Sequence, residues 1–245
     1  MSTLTQARTD LSTRRKVHSF ERFLNHHTDS LTKRFGSSDA AVMRREMLEE
    51  YQSLIPQVPY IGGRRNPWNA NLAGAPMALA VYRVVLRHGG SAQDAGEVVR
   101  VYAQQMVERI PRRLRRLLLR PRPARAQKAA RWTEQRRYPE DWVSQFVVGT
   151  GQDFDFGMDV TECAIVKYMH AQGADEFTPW LCHLDYVMAE AGGYGLTRTK
   201  TLAWGCDRCD FRTKVDGTTT AAWPPDFPER TCGRPATTHD ASMTT

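Results

Sequence analysis

The sequence predicts an α+β fold, a helical N-terminal half followed by a ββααββ block with a small antiparallel sheet. Three observations carry this. From about residue 19 to 110, apolar residues recur at spacings of three and four, the period of one helix face. From Trp142 onward, two pairs of segments alternate at period two around turn residues, as half-buried strands do. Between those pairs lie two apolar segments bounded by helix start and stop signals.

Residues 1–18 are polar and expected to be disordered, and 216–245, rich in Thr and Pro, reads as an irregular tail. The span 19–215 is expected to be one domain, with 19–137 its helical part and 138–215 its ββααββ part. "SFERFLNHHTDSLTKRF" and "DAAVMRREMLEEYQSLI" read as amphipathic helices. Residues 56–76, dense in Pro, Gly and Asn, read as a long loop of the kind that often carries function. Two further helices follow: "MALAVYRVVLRHGG", ended by Gly89 and Gly90, and "SAQDAGEVVRVYAQQMVERI", capped by Ser91.

"WVSQFVVG" and "DFDFGM" around Gly149 and Gly151 form the first expected hairpin. In "DVTECAIVKYMHAQG", Asp159 and Glu162 have the N-cap and N3 spacing of a capping box, with Gly173 as terminator. "FTPWLCHLDYVM" begins a helix with Thr178 as N-cap and Pro179 at its first position, stopped by Gly192 and Gly193. "GLTRTKTLAWG" and "CDFRTK" make the second hairpin.

Composition narrows the functional classes. An apolar fraction of 41% and six tryptophans indicate a globular protein. No uninterrupted apolar run reaches the ~18 residues of a membrane span, and the N-terminus has no apolar centre of a secretory signal, so a cytoplasmic address is expected. The five cysteines, an odd set, read as free thiols in a reducing compartment. The net charge of +7 is local: Arg109–Arg137 holds twelve Arg or Lys against one acidic residue, which leaves the remainder net negative. Pro121 and Pro123 break this window and Trp132 is its one aromatic, so nucleic acid is not the expected partner and an exposed arginine-rich connector is expected.

The chemistry concentrates in the second half. On a helix, Leu181, Leu184, Met188 and Ala191 fall on one stripe, expected to face the core, while Cys182, Asp185 and Ala189 flank it together. A carboxylate beside a buried stripe needs a partner. Glu162 and Cys163 stand at the expected start of the preceding helix, where the dipole favours a thiolate. Arg198 alternates onto the face of Leu196, Leu202 and Trp204, where it is either paired with a carboxylate or awaiting one. Cys209 and Phe211 share one strand face and Asp210 and Arg212 the other; either arginine could fork onto a substrate carboxylate. The plainer alternatives are a core role for Cys163, a capping role for Glu162 and a ligand-free Arg198–Asp185 ion pair. "CDRC" at 206–209 has zinc-ribbon spacing without a second pair, so no metal is expected.

Taken together, "PYIGG", "YPEDW", "FDFGMDVTEC", "CHLD", "LTRTKTLAWG" and "CDFR" resemble the L-2-amino-thiazoline-4-carboxylic acid hydrolase family, from about residue 40 to 215. The resemblance implies a cofactor-independent hydrolase acting on carbon–nitrogen or carbon–sulfur bonds of a small cyclic amidine, giving N-carbamoyl-L-cysteine from the named substrate. Carried over motif by motif, it implies Cys182 as nucleophile, with Cys163 and Cys209 as competitors. Asp185 becomes the partner of that nucleophile or the amidinium ligand, and Glu162 the general acid or base. Arg198, Thr199 and Arg212 bind the substrate's carboxylate. The alternatives are a cyclase or condensing enzyme on a related amino-acid-derived substrate, and a non-catalytic binding module that uses the basic segment. Oligomeric state is not legible.

Overall fold

The structure is a computed structural model that describes residues 3–26, 28–227 and 232. Its N-terminal half is helical: α1 (Thr3–His26), α2 (Thr28–Phe35), α3 (Ser37–Leu54), α4 (Asn69–Arg87), α5 (Ala92–Glu108), α6 (Arg112–Leu119) and α7 (Pro123–Thr133). The second half holds β1 (Val143–Val148), β2 (Phe156–Glu162), α8 (Ala164–Ala171), α9 (Thr178–Cys182), α10 (Leu184–Gly192), β3 (Gly195–Thr197) and β4 (Cys209–Lys214). The four strands form one antiparallel sheet in the order β1-β2-β4-β3. The α+β architecture read from the sequence is the one observed.

Helix α4 is the spine of the core. Leu72, Ala75, Leu79 and Val85 are buried along it, and α3, α5 and α8 pack around it. The sequence had placed residues 69–76 in a loop; instead they form the first turns of α4, with Pro76 buried inside the helix. Burial of an Ala- and Leu-rich face outweighs the hydrogen bond that proline removes. Ser91 does cap α5, and its reciprocal capping box with Asp94 is complete.

Three further corrections concern the second half. Asp159 and Glu162 do not form a capping box, because β2 runs through to Glu162. This strand lies between β1 and β4, so ladder bonds on both sides hold residues 156–160 extended, and α8 begins only after Cys163. The helix expected from Thr178 is divided at His183 into α9 and α10. Thr178 is buried there, its hydroxyl donating to the Ala174 carbonyl, and Phe177 takes the cap position. Finally, Cys206 and Cys232 form a disulfide, so only Cys163, Cys182 and Cys209 are free thiols. The bond draws the C-terminal segment back across the domain, where Trp223 and Phe227 pack on Trp180. Before residue 19, where disorder was expected, α1 is helical from Thr3.

Two family-resembling motifs, "PYIGG" and "YPEDW", meet as scaffold. Gly62 adopts φ +103, and a Cβ there would lie 2.9 Å from the Tyr138 ring. The buried Asn66 side chain donates to Ile61 O and Asp141 Oδ2, and Trp132 Nε1 donates to the same carboxylate. This knot ties the loop before α4 to the start of β1. No helix among the described residues is long and apolar enough to cross a membrane.

Candidate active site

The period of a strand sorts the residues of β2 and β4 onto two faces. Register pairs Val160 with Cys209, Met158 with Phe211 and Phe156 with Thr213 on the inner face, under the helices. Asp159, Asp210 and Arg212 fall on the outer face. A cavity of about 290 Å³ lies over the inner face, and Cys163, Cys182, Asp185, Arg198 and Cys209 all stand in its wall. Five of the eight residues implied by the resemblance therefore converge, although they come from α9, α10, the end of β2, the β3–β4 connection and β4.

Arg198 and Asp185 are the charged pair of this site. Arg198 Nη1 donates to Asp185 Oδ2 at 2.8 Å and Nη2 donates to the Cys182 carbonyl at 3.4 Å. The guanidinium lies 5.2 Å from the ring centroids of both Tyr186 and Phe211, a cation–π arrangement that compensates part of its lost hydration. The two partners are not equally enclosed. Arg198's side chain is 3% exposed and Asp185's 45%, so the arginine anchors the carboxylate while the carboxylate faces the cavity.

The thiols are neutral at physiological pH. Burial pushes Cys163 up to about 12, despite backbone N–H groups at the start of α8 that favour its thiolate. This reverses the expectation from the helix dipole: desolvation of a thiolate outweighs the field of one helix end. Burial likewise raises Cys182 well above its ordinary value, with the Arg198 charge opposing it. Cys209 is also raised by burial, against hydrogen bonds from Thr201 and the Leu202 amide to its sulfur. Cys209 is thus tied into the β3–β4 connection, and the Arg198 charge favours the thiolate of both Cys182 and Cys209.

The other three residues lie elsewhere. Glu162 is bound by Lys167 and Arg136, and the Lys167 ammonium bonded to it holds its carboxyl below the ordinary range. Arg212 pairs with Asp159 at 2.7 Å on the outer face. The exposed Thr199 donates to the half-buried Asp210 carboxylate from both its amide and its hydroxyl.

A second cavity, about 540 Å³, lies between α4, α5 and α10 and shares Asn71, Ile165, Leu181, Asp185 and Met188 with the first. Leu181, Leu184 and Met188 were expected to face the core; they are half-buried and line this space, while His183, Val187 and Ala189 are buried. Asn71 escaped the sequence reading because it was placed in a loop. The available signal was the run of small residues around it, "NANLAGA", which leaves room beside a helix.

A family model described as L-2-amino-thiazoline-4-carboxylic acid hydrolase matches residues 70–213. The chain belongs to this family. The match spans α4 to β4 and so contains every residue of the thiol-lined cavity's charged and sulfur groups. Comparison with curated proteins and with solved structures gives no significant match. The family's name points to a hydrolase.

Proposed function

We propose that the protein opens a small amidine-like heterocycle with water, in the manner of 2-amino-thiazoline-4-carboxylate giving N-carbamoyl-cysteine. The observation that carries this reading is the Asp185–Arg198 pair in the wall of an apolar cavity lined by three thiols. An amidine is a cation when protonated, and the cavity-facing Asp185 carboxylate is its natural counter-ion. Pairing in a poorly hydrated space is stronger than in water and makes the ring carbon between nitrogen and sulfur more electrophilic.

Cys182 supplies the nucleophile. Its thiol is neutral at rest, so its proton must move as the sulfur adds to the ring carbon, and the nearby Arg198 charge lowers the cost of that step. Asp185 or the ring nitrogen accepts the proton. The ring carbon–sulfur bond then breaks and the ring sulfur leaves as a thiol. Water displaces Cys182 from the carbon and leaves the carbonyl oxygen, for a net addition of one water. Asp185 assumes the acid–base role expected of Glu162, which lies outside the cavity wall.

The test is turnover of 2-amino-thiazoline-4-carboxylate followed by mass spectrometry, with Cys182→Ser and Asp185→Asn beside the wild type. Loss of turnover in both, with an unchanged circular dichroism spectrum, is expected. Full activity in Cys182→Ser would replace the covalent route by attack of water, and full activity in Asp185→Asn would remove the proposal.

A further inference from the structure

We propose that the substrate carries a long apolar substituent on its ring, seated in the larger cavity while the ring itself occupies the thiol-lined chamber. This rests on the hydrolase reading above and extends it to a substrate class: 2-(alkylamino)-thiazoline-4-carboxylates and similarly lipophilic cyclic amidines.

Volume gives the first argument. At about 30 Å³ per water-sized group, the 290 Å³ chamber holds roughly ten such groups, enough for the ring and its carboxylate. The adjoining 540 Å³ is then surplus to a small ring. Chemistry gives the second. Apart from Asn71, Tyr102 and Asp185 its wall is apolar, so it offers few partners to water and many to hydrocarbon. The third is position. Among the described residues, Asp185 is the one charged residue on the larger cavity's wall, and it belongs to both cavities. A ligand whose cationic amidine meets Asp185 therefore has Arg198 and the thiols on one side and hydrocarbon on the other. Small side chains keep the space open: Ala73, Ala75 and Ala78 line it, and a Cβ added at Gly74 would meet nothing within 4 Å. Met106, half exposed on α5, marks where the cavity reaches the surface. The chemistry balances as for the parent ring: water adds to the amidine carbon, the ring carbon–sulfur bond breaks, and an N-(alkylcarbamoyl)-cysteine with a free thiol results.

The experiment compares 2-amino-, 2-(butylamino)- and 2-(octylamino)-thiazoline-4-carboxylate by calorimetric binding and by kcat/KM. Each buried methylene contributes up to about fourfold, so the octyl compound is expected to bind at least a hundredfold tighter than the amino compound. Ala103→Trp, which fills the larger cavity from α5, should cut the octyl-to-amino affinity ratio at least tenfold, and the milder Ala103→Ile should cut it less. Equal affinity across the series, or an unchanged ratio in both variants, overturns the inference. If the octyl compound binds tightly and neither it nor the amino compound is turned over, the hydrolase reading fails and the lipophilic-ligand inference stands. If the amino compound is hydrolysed and the chain adds nothing, the reverse holds.

Discussion

Arg198 and Arg212 lie close together in one small sheet region and have opposite fates. Arg198 is buried on the inner side, stacked between aromatic neighbours and bonded to a carboxylate that faces a cavity. Arg212 is bonded to Asp159 on the outer side, near the Phe154 ring and a second cation, Arg208. Both are arginine–aspartate pairs of nearly equal length. What separates them is how exposure is divided: the outer partners are each about a quarter exposed and share a second cation, Arg208, whereas the inner arginine is almost fully enclosed and its carboxylate is open to the cavity. The same contact is therefore part of a charge network in one place and, in the function proposed above, a binding device in the other.

The largest test of this contrast is Asp185→Asn. Removing the cavity-facing charge should lower turnover of the thiazoline by at least ~100-fold, in the range of a lost acid–base group. It should also cost about 2–3 kcal/mol of stability, because a guanidinium with 3% exposure loses its charged partner. Arg198→Met should be as damaging to turnover but gentler on the fold, at about 1–2 kcal/mol by urea denaturation, since the half-exposed Asp185 can regain water. An equal cost for both would contradict the asymmetry of the pair.

Alkali should separate the two faces by their titrating groups. Cys163 in the inner wall is raised from an ordinary value near 9 to about 12. The folded state thus holds a proton that the unfolded chain releases first, so stability is complete below about pH 9 and falls as pH climbs toward 12. Urea midpoints at pH 7.5 and 10.5 measure this, and Cys163→Ala should narrow the difference. In native protein at pH 7, iodoacetamide should label all three free thiols slowly, because each is held in its neutral form; fast labelling of any of them would contradict that.

The smallest effect is expected from Arg212→Ala: under about 1 kcal/mol of stability and a change in kcat/KM of no more than about twofold. A loss comparable to that of Arg198→Met would make the outer pair as important to turnover as the inner one and undo the comparison.

Much of this site was legible in the chain. Helical spacing put Cys182 and Asp185 on one face, and an arginine among apolar residues already implied a carboxylate partner, but the strand alternation expected of Arg198 does not hold: β3 ends at Thr197 and Leu202–Trp204 form a 3-10 turn, so the β3–β4 connection buries the guanidinium. Alternation also separated Cys209 from Arg212, although both were retained as candidates. Glu162 misled because a carboxylate three residues after an aspartate reads equally as a helix start or as strand, and only pairing with β1 and β4 decides between them. Cys206 and Cys232 misled because their pairing depends on how the tail returns.

Local pattern fixes properties that repeat within one element, such as period, caps and which side chains share a face. It therefore determined the α+β class, the two hairpins, the Ser91 cap and the neighbourhood of thiol and carboxylate. Tertiary structure decided what each face meets: that Leu181, Leu184 and Met188 border empty space, that Arg198 reaches Asp185, and that a second cavity adjoins the first. These depend on the distance between elements far apart in the chain, which is set by the side chains of both partners at once.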